Sequence, residues 1–136
     1  MAALKYSVAV RNAQLDQIEV VTGTAANLYI RTGAPPADCA AADSGTLLVT
    51  MALPSDWMAA AATGSKAKAG TWQDTSADGT GTAGHFRIKD TAGTTCHVQG
   101  DVTLGGGGGD MTLDNTSIVT GQSVTINTFT LTAGNA

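Results

Sequence analysis

Hydrophobic positions along the chain follow two periods. Val8, Leu15, Ile18 and Val21 lie near one face at helical spacing, with Ser7 placed to cap the first turn and Gly23 to stop the last; Arg11, Asn12, Gln14, Asp16 and Glu19 fill most of the remainder. The spacing predicts an amphipathic helix that packs on the end or edge of a sheet, or docks on a neighbouring subunit. Beyond Gly23 the period falls to two and turn residues recur, as in all-β domains.

Residues 27–31 read as a short strand with Leu28 and Ile30 on one side, broken by Gly33, Pro35 and Pro36, which restrain the backbone and remove ladder donors. Residues 46–53 alternate Leu47, Val49, Met51 and Leu53 against Leu48, Thr50 and Ala52, until Pro54 ends the strand. Ser55 then caps a short helical turn or opens an ordered loop, with Trp57 as a core plug. A strand over 66–73 follows. The clearest local feature is a hairpin of 83–90 with 95–102 across the turn 90–94. Phe86, Ile88, Cys96 and Val98 face inward in this reading, and His85, Arg87, Lys89, His97, Gln99 and Asp101 form a polar outer face. Gly105 to Gly109 read as a flexible tip or a wide turn. Two strands close the chain, around 111–113 and 122–131. The parity shift between Val124-Ile126 and Phe129-Leu131 predicts a bulge or an edge.

Seven or eight short strands after one helix predict a mainly β fold, an antiparallel β-sandwich of the immunoglobulin-like or jelly-roll sort, with a closed barrel as the runner-up. The chain of 136 residues fits one domain, with 1–23 as an N-terminal arm and helix. Aromatics are 4% of the chain and 17 residues are glycine, so the core is expected to be thin.

Charge narrows the partners. A net charge of −4 argues against the basic surface that nucleic-acid binding needs. No apolar run has the length of a membrane span, and the N-terminus lacks a signal peptide's apolar centre, so a soluble chain without an export signal is expected. Cys39 and Cys96 are too few and too far apart in sequence for a disulfide framework or metal knuckle, and are expected to be reduced.

Catalytic and cofactor signatures are weak. His85 and His97 sit on facing arms of the hairpin, but a zinc site would need further ligands from Asp90 or Asp101, so both read as solvated surface groups. No serine lies in a nucleophile elbow, and neither cysteine has a context that would activate it. Asp74 with Asp78, and Asp110 with Asp114, fall among Gly, Ser and Thr, where aspartate makes turns. The run from Gly105 to Asp110 partly matches one copy of a calcium-binding repeat that works through stacked copies, and no Lys-Ser or Lys-Thr pair follows it to cradle a phosphate. The expectation is a non-enzyme with no cofactor and no metal.

Four blocks carry a resemblance: ALKYSVAVRNAQLDQIE, RTGAPPADCAAADSGTLL, SADGTGTAGHFRIKDTAGTTCHVQGDV and DMTLDNTSIVTGQSVTINTFTLTAGNA. In their order and wording they resemble a family of small virion structural proteins of tailed bacteriophages and prophages. The resemblance implies a β-sandwich virion component without enzymatic activity. By that resemblance the first expectation is a capsid decoration, or cement, protein on the outside of an HK97-type shell, where it bridges capsomers. Its partners would be the major capsid protein and copies of itself in a dimer or trimer, with no nucleic acid and no membrane. It would be assembled in the bacterial host cytoplasm and reside on the capsid surface. A tail, connector or baseplate component is the alternative, as is a surface-displayed module that binds host glycans through Trp57, Trp72 or the glycine tip. Leu4, Tyr6, Val8 and Arg11 near the N-terminus, with Phe129 and Leu131 on the final strand, are the expected capsid or self-association contacts.

Overall fold

The protein's structure, a computed structural model, describes residues 3–133. Helix α1 (Val8–Thr22) begins where Ser7 Oγ accepts the Val10 amide at 3.2 Å. It ends at Gly23, whose amide donates to the Glu19 carbonyl at 2.8 Å and whose φ of 94° then turns the chain out of the helix. Ten strands follow: β1 (Asn27–Thr32), β2 (Leu47–Ala52), β3 (Ser65–Ala67), β4 (Trp72–Asp74), β5 (Gly81–Lys89), β6 (Cys96–Leu104), β7 (Met111–Leu113), β8 (Ser117–Ile118), β9 (Val124–Ile126) and β10 (Thr130–Thr132). The main sheet runs β2-β1-β5-β6-β7, with β8 paired to the start of β5. Two small ribbons, β3 with β10 and β4 with β9, complete it. The fold is mainly β and rich in antiparallel pairing, curled into a sandwich- or barrel-like form with one short N-terminal helix.

Several departures from the alternation have local causes. Residues 66–73 are two strands, because Gly70 (φ +70°) turns the chain between them and sends β3 to β10 and β4 to β9. The parity shift after Ile126 marks the same switch on the opposite side, where the chain leaves its pairing with β4 and enters its pairing with β3. Residues 54–64 form an ordered loop without a helical turn, and Ser65 already opens β3. The glycine run makes a wide turn into a parallel pair, Val102 beside Met111 and Leu104 beside Leu113. Parallel neighbours commonly need a connection of about a dozen residues. The shorter return works here because Gly106 and Gly108 take φ of +85° and +81°, while the amides of Gly107 and Gly109 bond the Leu104 carbonyl and Thr103 Oγ1.

One apolar cluster fills the interior. Leu28, Ile30, Phe86 and Ile88 of β1 and β5 supply its sheet side. Against them an aromatic row runs from Trp57 to Trp72 (6.1 Å between centroids), on to Phe129 (5.6 Å) and to Phe86 (5.5 Å, edge to face). Each such contact adds about 0.5–1.5 kcal/mol beyond the area it buries. The indole N–H groups are satisfied too, Trp57 by the Gly23 carbonyl at 2.9 Å and Trp72 by that of Ala69 at 3.1 Å. Trp57 is therefore the core plug its position predicts.

Candidate functional site

Two regions gather the side chains that sequence reasoning singled out. The first is the helix. Leu15 is buried and Ile18 packs on the core, but Val8 and Val21, placed on the same inner face by their spacing, are exposed. What turns the helix is hydrogen bonding. Asn12 Oδ1 accepts the Gly64 amide at 2.8 Å, Asp16 Oδ1 that of Ala61 at 2.9 Å, and Glu19 Oε2 that of Met58 at 3.2 Å. These carboxylates and the amide satisfy loop donors that would otherwise be stranded. Lys66, buried beneath them, gives its Nζ to Asp16 and Glu19, both at 2.8 Å. Burial alone would lower the Lys66 pKa, but these two carboxylates outweigh it and raise it above the usual range.

Arg11 joins the inward set. Its Nε donates to the Ala133 carbonyl at 2.7 Å and its guanidinium lies over Gly64, so its head is engaged within the fold and does not project as a capsid contact. All three charged residues of α1 thus point at the protein's own loops. The outward face carries Ala9, Val10, Ala13, Gln14, Gln17, Val20 and Val21, all exposed and all uncharged. Among the described residues, six of the eight large hydrophobic side chains left exposed are Leu4, Tyr6, Val8, Val10, Val20 and Val21. The apolar surface is therefore concentrated on the arm and helix. At the other end of the chain, Phe129 is 3% exposed, wedged between Trp72 and Phe86, and is withdrawn from any contact surface. Leu131 is half-buried against the core.

The second region is the sheet face away from the core. His85, Arg87 and Lys89 do lie opposite Phe86 and Ile88, but they are not solvated: residues 33–46 fold over them, leaving His85 at 0% and Arg87 at 2% exposure. Arg87 organises that loop. Its Nη1 donates to Asp43 Oδ1 at 2.6 Å, its Nη2 to the carbonyls of Asp38, Cys39 and Ala41 at 3.0–3.1 Å, and its Nε to Gln99 at 3.2 Å. Lys89 meets Asp43 Oδ2 at 2.7 Å and Arg31 meets it at 3.5 Å. Burial raises the Asp43 pKa, yet the hydrogen bonds from Lys89 and Arg87 prevail and hold it at about 2. Asp43 is thus an ionised structural acceptor at neutral pH. His85 Nδ1 faces the Gly33 carbonyl at 2.9 Å, which places its proton on Nδ1 when the ring is neutral.

A register shift between Ile88 and Lys89 changes the face of one predicted core residue. Cys96 pairs with Lys89 and lies on the loop-covered face, while Val98 packs on the core as the alternation predicts. Cys96 gives a hydrogen bond to Cys39, the two sulfurs standing 2.6 Å apart although 57 positions separate them in sequence. Burial, reinforced by that bond and opposed by Arg87, pushes the Cys96 thiol up to about 12. The two histidines part company: His97 lines a small cavity with Gln14, Ile18 and Val21 of the helix, whereas His85 lies beneath the 33–46 loop. No cluster of three or more metal-ligating side chains occurs among the described residues.

The aspartates do turn and loop work. Asp74 accepts the amides of Ser76 and Thr50, Asp110 that of Asp101, and Asp114 the side-chain amide of Asn127. Both tryptophans are fully buried, so the glycan platform expected of them is absent. Sequence reasoning missed Asp43, Cys39 and the inward role of Asn12, Asp16 and Glu19; the Asp38 and Asp43 turn residues between broken strands were the available signal. No family model, curated protein or solved structure matches the chain.

Proposed function

We propose that the protein is a structural component of a tailed-bacteriophage particle that acts by binding and not by catalysis, in the first place as a capsid decoration protein. On this reading it sits outside an HK97-type shell, contacts the major capsid protein, associates with copies of itself as a dimer or trimer, and bridges neighbouring capsomers. Its support is the wording of the four sequence blocks together with one observation: the outward face of α1 is uncharged and exposes Val10, Val20 and Val21 beside Gln14 and Gln17, with Leu4, Tyr6 and Val8 exposed at and before its start, while every helix charge is turned inward. A surface of that kind gains by being covered. Many copies of a modest contact, repeated over a lattice, give firm attachment through avidity.

Co-sedimentation of the purified full-length chain with undecorated capsids, and separately with isolated tails, tests the reading. Saturable binding to capsids is expected. Binding to tails alone would transfer the protein to a tail, connector or baseplate role, and binding to neither would end the virion reading.

A further inference from the structure

We infer that Cys39 and Cys96 form an intrachain disulfide that staples the 33–46 loop to β6. The inference is independent of the role on a particle. It rests first on placement, since the two sulfurs lie in contact at 2.6 Å and a bond needs only a small further approach to about 2.05 Å. It rests next on rigidity. The Cys39 carbonyl is held by Arg87, as are those of its neighbours Asp38 and Ala41, and Arg87 is anchored in β5. Cys96 is fixed by its ladder position opposite Lys89. Two thiols held this way meet at an effective concentration far above that of any solution thiol.

Access is the third element. An open cavity of about 430 Å³ is lined by Cys39, Cys96, Arg87, Lys89 and Asp43, which admits a small oxidant to both half-buried sulfurs. The oxidant is a low-molecular-weight disulfide, RSSR. Cys39, the sulfur that accepts the Cys96 hydrogen bond, attacks as thiolate, forms a mixed disulfide and expels RS⁻, which takes up the proton Cys39 released. Cys96 then attacks the Cys39 sulfur, displaces the second RS⁻ and passes its proton to it. Two protein thiols are oxidised to one cystine and RSSR is reduced to two RSH. The bond is expected to stay open in a glutathione-reduced cytosol and to close in oxidising surroundings.

Closure ties positions 57 apart and so restricts the unfolded chain, which raises stability. The test divides the purified full-length protein between a dithiol reductant and oxidised glutathione. The oxidised sample should show no titratable thiol under denaturing conditions, a mass lower by two hydrogen atoms, and one cross-linked peptide pair holding Cys39 and Cys96. Its Tm should lie about 5–15 °C above that of the reduced sample. The Cys39→Ser and Cys96→Ser variants should show no such rise. Two thiols persisting after oxidation, a lasting glutathione adduct, or a cross-link between chains would overturn the bond; equal Tm values would overturn its stabilising role.

Discussion

Arg87 and Asp43 close a 2.6 Å ion pair across 44 positions of sequence, with the guanidinium sealed from solvent by the loop that it holds. Removing the guanidinium in Arg87→Met leaves three loop carbonyls without their donor, while Asp43 keeps Lys89 at 2.7 Å and the more distant Arg31. Losing these part-buried hydrogen bonds costs about 1–3 kcal/mol, or about 3–12 °C in Tm for a chain of this size. Arg87→Lys should recover only part of the loss, because an ammonium keeps the charge but not the planar fork that reaches the carbonyls of Asp38, Cys39 and Ala41 together. Thermal unfolding of the two variants beside the parent checks both statements.

The same carboxylate gives the fold an acid dependence. Asp43 has its folded pKa depressed to about 2, so its contribution is fully present above the unfolded carboxyl value and disappears as pH falls through the folded one. With its side chain 28% exposed, about 1–2 kcal/mol should be lost between pH ~4 and pH ~2. Denaturant titrations across that window should show this slope in the parent and a flatter one in Asp43→Asn, which should also be less stable at pH 7.

Gly84 sets how closely the loop can approach the sheet. A Cβ there would stand 2.3 Å from the Gly33 carbonyl oxygen and 2.7 Å from its amide nitrogen, both backbone atoms with no side-chain freedom to yield. Gly84→Ala should therefore lift the loop and cost about 1–3 kcal/mol. Faster amide exchange at residues 33–46, with the β5–β6 ladder still protected, is the expected signature in hydrogen exchange.

These three positions also mark what could and could not be read from sequence. Alternation located β1, β2, β5 and β6, and the cap pair Ser7 and Gly23 bounded α1, because those signals are local. Which side of the helix faces in was not local: amides of Met58, Ala61 and Gly64 needed acceptors, and Asn12, Asp16 and Glu19 supplied them from the polar side. Alternation puts His85 and Arg87 on the correct face, but no periodicity reports that a distant loop will cover it. Alternation misplaces Cys96, because a single irregularity in the ladder between Ile88 and Lys89 moves a side chain to the other face. Alternation alone leaves Phe129 at a contact edge, because the break between β9 and β10 hides its place in the aromatic row.

The outward helix face separates binding from folding. Val20 and Val21 are 68% and 64% exposed in the last turn of the helix, where cations suit the dipole, so Val20→Lys with Val21→Lys should leave stability within about 0.5 kcal/mol of the parent. The same pair of charges should sharply weaken capsid binding in co-sedimentation, while Arg11→Ala, which breaks an internal contact to Ala133, should lower Tm.

The most direct measurement of the central claim is the copy number of the protein relative to the major capsid protein in purified particles, with intact heads and separated tails quantified side by side. A decoration role predicts a near-stoichiometric ratio that stays with the heads. A few copies per particle, or enrichment with the tails, would contradict it.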